Sequence, residues 1–277
     1  MTIDAPYRLP AELEGTILGR IVAARIPEIE EARTKFPVES IEMALDRAPR
    51  IRLLKRSLIR KPGIIAEIKR ASPSAGLLRP ALDPAAVAAE YQRAGAAAIS
   101  VLTEATYFQG NLEILAALRW QTRLPLLRKD FIVDAYQVLE ARLAGADAVL
   151  LIAALLPGDR LGALRRCVEE QGMDALVEVR DDRDLERALE AGSTLIGVNN
   201  RDLKTFEVSL EVSRRLAPRL PREIVAVAES GLRSPEDVAS LADAGFRGFL
   251  IGEALMRSAS PGGTLEKFVS ILDKRGR

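Results

Sequence analysis

At 277 residues and a net charge of +1, the chain is long enough for one α/β barrel and carries no bulk electrostatic pull toward nucleic acid or an anionic membrane. It has one cysteine and no histidine, which excludes an internal disulfide, a Ser-His-Asp triad, a Cys-His pair and His-ligated zinc or iron. Acid–base chemistry must then fall to Lys, Glu, Asp or Tyr, tuned by burial and by one another's charge. Aromatic residues make up only 4% of the chain against 48% hydrophobic, so Ala, Leu and Val must fill the core, as where helices pack closely on a sheet. Cys167, between Leu164 and Val168 on one side and charge on the other, reads as a plain helix residue. The start, MTIDAPYRLPAELEG, lacks the apolar core of a signal peptide, and no run approaches the roughly 18 apolar residues that span a bilayer. A cytoplasmic location without membrane contact is expected.

Residues 1–60 read as a helical extension packed on a single barrel domain over 61–277. Pro27 to Arg33 predicts a helix start, with acids in the first turn and bases after it. Pro37 ends that helix, and Val38–Leu45 predicts another. From Arg50 to Lys61 six basic residues interleave with Ile51, Leu53, Leu54, Leu58 and Ile59. Such a stretch suits a helix with an apolar face and a solvated basic face. The alternative is that these cations also raise the positive potential over an active-site mouth. Pro62-Gly63 breaks the chain before the first strand.

From there one phrase recurs: a helical stretch ending in Ala-Gly, then a buried-looking apolar run. The copies are Ala94-Gly95, Ala144-Gly145, Ala191-Gly192 and Ala244-Gly245, before AISVLTE, AVLLI, LIGVNN and FLIGEAL. A spacing of roughly 50 residues is about two βα units, the pace of an eight-stranded barrel. Ile64–Lys69, Pro125–Asp130, Ala175–Val179 and Ile224–Glu229 fill the gaps and complete eight strands, so the expected fold is a TIM (β/α)8 barrel. Asp83-Pro84 and Ser234-Pro235-Glu236-Asp237 read as helix caps. The longest departure from strand–turn–helix pacing is Arg70–Gly76 after strand one, a Ser-, Pro- and Gly-rich loop that points to function.

Several strands end in charge: Glu67 and Lys69, Glu104, Lys129 and Asp130, Glu178, Asn199 to Asp202, Glu229, Glu253. In a barrel these ends share one mouth, where the active site lies. Alternation puts Glu67 and Lys69 on one face, either as an ordinary ion pair or as part of the site. Lys129, at a strand end near other lysines and in low dielectric, is expected to hold its proton loosely, which suits a general acid or a Schiff-base nucleophile. Glu178 interrupts an apolar run and needs a cationic partner, for which Lys129 is the candidate. Asn199, Asn200 and Arg201 suit hydroxyls or carboxylates, unless they are simply turn residues. Gly231 and Gly252 directly follow strands seven and eight, where phosphate-binding barrels expose backbone N–H groups, and Ser230 stands beside the first. The constellation implies a phosphorylated small-molecule substrate handled by acid–base chemistry without metal or organic cofactor.

EIKRASPS (Glu67–Ser74), SVLTE followed by YFQG (Ser100–Gly110), LLRKDF (Leu126–Phe131), GADAVLLI (Gly145–Ile152), GVNNRDL (Gly197–Leu203), AESG (Ala228–Gly231) and IGEALM (Ile251–Met256) together resemble the indole-3-glycerol-phosphate synthase family. The resemblance runs from about residue 10 to 272 and covers all eight strands. It implies ring closure of 1-(2-carboxyphenylamino)-1-deoxyribulose 5-phosphate with release of CO2 and water, a step of tryptophan biosynthesis. By motif, Lys129 resembles the general acid at the substrate ketone. Lys69 resembles the lysine that pairs with the substrate carboxylate and serves the later dehydration. Glu178 resembles the acid–base carboxylate of that dehydration, and Glu67 with Asn199 the pair bonding the sugar hydroxyls. Arg201 resembles the arginine on the anthranilate carboxylate, and Phe131 falls among the substrate-binding residues. Ser72, Ser230, Gly231, Gly252 and Glu253 resemble the phosphate grip.

Two departures stand out: Ala105 and Asn111 replace frequent Pro and Ser, and Glu253 replaces the Ser of some members. A carboxylate there would repel a dianion, so Glu253 should offer its backbone N–H and turn its side chain outward. Three rivals share parts of the pattern: another phosphate barrel such as a sugar-phosphate isomerase or epimerase, a Schiff-base aldolase, and a non-catalytic phosphate-binding barrel. The sequence leaves the oligomeric state open, a monomer included.

Overall fold

In the computed structural model, which describes residues 6–202 and 207–275, eight parallel strands close into a barrel. They are β1 (Gly63–Ile68), β2 (Ala98–Leu102), β3 (Leu126–Lys129), β4 (Ala148–Ile152), β5 (Asp174–Val179), β6 (Leu195–Asn199), β7 (Val225–Glu229) and β8 (Gly248–Ile251). Each pairs with its neighbours in sequence, and β1 closes the ring against β8. The strands are buried almost throughout, because helices cover the outside and side chains fill the inside. The expected caps form: Asp83 accepts from the amides of Ala85 and Ala86, and Ser234 makes a capping box with Asp237.

Register decides which strand-end charges face inward. Paired residues on neighbouring parallel strands lie on the same side of the sheet. Glu67 pairs with Ser100, Leu102 with Lys129, Ile152 with Glu178, Glu178 with Gly197, and Asn199 with Glu229. One parity therefore carries Glu67, Lys129, Glu178, Asn199 and Glu229 to the interior at the C-terminal end. Arg128 has the opposite parity and is buried in the outer layer, where it donates to the Gln137 carbonyl at 2.7 Å.

Three helices precede the first strand: α1 (Ile17–Lys35), α2 (Val38–Ala44) and α3 (Leu54–Arg60). The expected start at Pro27 is wrong. Pro27 lies inside α1, which begins with Thr16 as its cap. Leu18, Ile21 and Val22 before the proline and Ile29 after it are all buried in the main core. That packing outweighs the roughly 3 kcal/mol that an interior proline costs.

The basic stretch also differs from one of its two readings. Only Leu54–Arg60 is helical, and it lies across the N-terminal end of the barrel, opposite the mouth. There the amide of Arg52 donates to Asp147 at 2.6 Å and that of Lys55 to Asp174 at 2.8 Å, just where β4 and β5 begin. Leu54 and Leu58 are fully buried there, and the basic residues of this stretch sit at the end of the barrel away from the mouth. Among the described residues no helix is long and apolar enough to cross a membrane.

Candidate active site

The twelve residues singled out from the sequence all line one cavity of about 470 Å³ at the C-terminal end of the strands: Glu67, Lys69, Ser72, Lys129, Phe131, Glu178, Asn199, Arg201, Ser230, Gly231, Gly252 and Glu253. Leu203, the last residue of the GVNNRDL motif, lies outside the described residues.

The reactive-looking half is built on β1, β3, β5 and β7. Lys69 Nζ is 2.6 Å from Glu67 Oε1. Lys129 Nζ lies 3.4 Å from Glu178 Oε2, the partner expected, and 3.6 Å from Glu229 Oε2. Burial works to lower the pKa of this ammonium, but Glu178, Glu229 and Glu67 outweigh burial and raise it well above the ordinary lysine value. The expectation of a loosely held proton is therefore corrected: three carboxylates converge on Lys129 where other lysines had been expected to repel its charge. A fully protonated ammonium is a proton donor and a poor Schiff-base nucleophile.

Glu229 is the complement. Burial, reinforced by Glu178 and Glu67 against the pull of Lys129, raises its carboxyl to about 8. Among the described residues its buried Oε1 has no hydrogen-bond partner. Two glycines make room for these carboxylates. A Cβ on Gly197 would collide with Glu229 Oε1, and one on Gly252 with Glu67 Oε1.

The other half is built on β6, β7, β8 and the loop after β1. Ser230 and Gly231 are consecutive left-handed residues, at φ 64° and 79°. Asn200 holds that turn by donating to the carbonyls of Glu229 (3.1 Å) and Ser230 (3.2 Å). Asn200 is thus a structural amide, whereas Asn199 faces the cavity and accepts from the Arg201 amide at 2.9 Å. Ser72 Oγ accepts from the Ala75 amide at 3.3 Å and shapes the loop after β1. Arg201 spans the cavity rim, donating to Ser74 Oγ at 3.3 Å and Glu253 Oε2 at 3.4 Å. The other oxygen of Glu253 accepts from Arg257 Nε at 3.1 Å, so its carboxylate is drawn to two guanidinium groups.

Some of the strand-end charges serve other ends. Glu104 turns into its own loop and accepts from the amides of Thr106, Tyr107 and Phe108 at 2.8–2.9 Å. Asp202 pairs with Arg180 at 2.7 Å. Sequence reasoning in turn left some lining residues out of its set. Glu229 was visible as a strand-end charge with the parity of Asn199. Arg233 and Arg257 lie just past the two glycine turns, and their charge was the available signal. Phe108, whose ring centroid is 6.0 Å from that of Phe131, gave no signal of its own. Among the described residues no cluster of three or more His, Cys, Asp or Glu could hold a metal ion.

Fold and site together define a class: a (β/α)8-barrel enzyme with lysine–carboxylate pairs facing glycine turns across one mouth. Solved structures share the fold at low identity. The N-acetylmannosamine-6-phosphate 2-epimerase from Clostridium perfringens superposes with a TM-score of 0.62 at 16% identity, covering 81% of this chain and 98% of that one. A thiamine phosphate pyrophosphorylase from Pyrococcus furiosus gives 0.60 at 18%, covering 80% and 98%. In sequence, the family model for indole-3-glycerol phosphate synthase matches residues 18–268. Indole-3-glycerol phosphate synthases from Carboxydothermus hydrogenoformans and Laribacter hongkongensis are 48% and 46% identical, each over 90% of this chain and over 98% and 97% of their own lengths. The chain belongs to the indole-3-glycerol phosphate synthase family.

Proposed function

We propose that this mouth closes the indole ring of 1-(2-carboxyphenylamino)-1-deoxyribulose 5-phosphate, with loss of CO2 and water, and that the residues divide the work as follows. Lys129 is the general acid. Its ammonium gives a proton to the ketone oxygen as the aromatic carbon attacks the ketone carbon, so that a hydroxyl forms and no free alkoxide has to be carried. The acidic groups around Lys129, Glu178 first among them, keep it charged until that moment. Lys69 pairs with the substrate carboxylate, and after CO2 leaves it assists departure of the hydroxyl as water while Glu178 takes the ring proton. Glu67 and Asn199 hold the sugar hydroxyls.

The phosphate sits on the main-chain N–H groups of the turns after β7 and β8, with Ser72 and Ser230 as side-chain donors. Arg201 serves the anthranilate carboxylate, and Phe131 with Phe108 packs beside the ring. Glu253 contributes its amide only, its carboxylate being neutralised by Arg201 and Arg257.

The observation that carries this reading is Lys129 held between Glu178 and Glu229 in the same cavity as the Glu67–Lys69 pair and the two glycine turns. It favours a proton donor over an aldolase lysine. Incubating the protein with the carboxyphenylamino substrate, in buffer containing a chelator, should produce indole fluorescence. Borohydride added during turnover should trap no adduct. A protein that stays dark, or that is inactivated by borohydride only in the presence of substrate, would sink the reading.

A further inference from the structure

Asp130 stands between Lys129 and Phe131, yet its carboxylate turns away from the reaction and is fully buried. It collects more hydrogen bonds than any carboxylate at the mouth. Its Oδ1 accepts from the Phe131 amide at 2.8 Å and from Arg25 Nε at 3.3 Å. Its Oδ2 accepts from Thr103 Oγ1 at 2.7 Å, Arg128 Nη2 at 2.9 Å and Arg25 Nη2 at 3.0 Å. Arg128 is committed on its other side to the Gln137 carbonyl and Glu140. Arg25, by contrast, comes from α1, a helix that precedes the barrel, and reaches across to grip both oxygens.

The same face of α1 touches the mouth elsewhere. Glu28, one turn on, accepts from Arg25 at 2.7 Å and from Thr106 Oγ1 at 3.0 Å. Thr106 belongs to the loop that Glu104 organises and that carries Phe108 into the cavity. Arg33, further along, pairs at 2.7 Å with Asp134, the cap of the helix after β3. Three charged residues of one helix thus hold the segment that follows β3 and the loop that follows β2. A helix that only covered apolar surface would need none of them.

We infer that Arg25 is a positioning residue for the ring-closing reaction: through Asp130 it fixes the C-terminal end of β3 and so the placement of Lys129 and Phe131. The inference rests on the proposed role of Lys129. A fork of two N–H groups on two carboxylate oxygens fixes direction as well as distance, which an isolated charge does not. The distances that matter downstream are short-ranged, since Lys129 meets Glu178 and Glu229 at 3.4 and 3.6 Å. Misplacement by about 1 Å costs on the order of 100-fold in rate, so a partial loosening should cost about 10-fold.

The test uses full-length Arg25→Ala, Asp130→Asn and the double variant, with Arg20→Ala as a control. Arg20 lies on the same helix, and its guanidinium donates to the Gly15 carbonyl, away from the mouth. Wild-type turnover in the same assay comes first, because its absence would condemn the functional reading and not this inference. With folding matched by circular dichroism, Arg25→Ala should lose about 10-fold in kcat while KM changes less than about 3-fold. Arg20→Ala should match wild type. Adding Arg25→Ala to Asp130→Asn should cost less than about 2-fold further, because the two act as one unit. Should Arg25→Ala fail to fold, Arg25→Lys keeps the charge but not the fork and should still lose kcat at constant KM. Unchanged kcat in whichever folded variant is measured, or an undiminished loss in the Asp130→Asn background, would overturn the inference.

Discussion

The two ends of the barrel hold buried carboxylates under opposite terms. At the closed end, Asp147 accepts from the amides of Arg52 and Leu126 and, with both oxygens, from Arg119 Nη1, all at 2.6–2.9 Å. Both of its oxygens are hydrogen-bonded, although burial still raises its pKa against those amides and Arg119. At the mouth, Glu229 has one oxygen with no hydrogen-bond partner among the described residues and the other 3.6 Å from a lysine that it shares with Glu178. Burying an unanswered carboxyl is expensive, and a barrel that answers one so fully at its floor has no structural reason to leave another wanting. Of these two carboxyl groups, the one bonded at both oxygens lies at the floor, and the one left with an unpartnered oxygen lies among the candidate site residues.

The sharpest way to break that comparison is to remove one charge from each end. Lys129→Met should cut turnover by about 10²–10⁴-fold, the usual loss for a general acid, while the circular dichroism spectrum stays that of the wild type. Retention of more than about a tenth of wild-type turnover would remove Lys129 from its assigned role. Asp147→Ala should do the reverse. It strands the Arg119 guanidinium, which is 2% exposed, and should cost about 3–5 kcal/mol of stability in urea unfolding. Turnover per folded molecule should stay near wild type, and a marked fall in it would show that the floor is not merely structural.

Much of this division was legible in the sequence, and the exceptions have physical causes. The eight strands were readable because buried parallel strands are continuous apolar runs, and each Ala-Gly stop marked where a helix gave way to the next strand. All twelve site residues reached one cavity because the C-terminal ends of the strands open on a shared mouth in this fold. The path of α1 through Pro27 was not readable, since what sustains it is burial of Ile29 against residues far away in sequence. The proton affinity of Lys129 was misjudged for the same reason: three carboxylates meet it only once the barrel closes. Glu104 looked like its neighbours, and only the backbone turn that follows it reveals that its charge is spent on three amides.

A smaller change sharpens the comparison at the mouth alone. Gly197 faces inward beside Glu178 in the register of β5 and β6, and its missing side chain is the space that Glu229 occupies. In Gly197→Ala the methyl group meets the Glu229 carboxylate and also comes within 3.4 Å of Leu176 Cδ1, so the carboxylate must move off Lys129. Turnover should fall by about 10-fold or more. Combined with Glu229→Gln, the same substitution should cost less than it does alone. Equal losses in both backgrounds would mean that Gly197 serves packing and not the placement of Glu229.

The mildest effect concerns the proton that Glu229 holds. Its carboxyl lies at about 8 in the folded protein against an ordinary value of 4.5, raised by burial and by Glu178 and Glu67 and opposed by Lys129. The folded state therefore binds this proton more tightly than the unfolded chain does. The stability it contributes is complete below the unfolded value and is lost as pH rises through the folded one. Between pH 4.5 and about 8 the wild-type Tm should accordingly carry a downward slope from this group. Glu229→Gln keeps the shape of the side chain and has no proton to lose, so its Tm should fall less steeply across that window. Parallel Tm–pH curves for wild type and Glu229→Gln would show that the carboxyl is ionised at the mouth throughout, its charge compensated by Lys129.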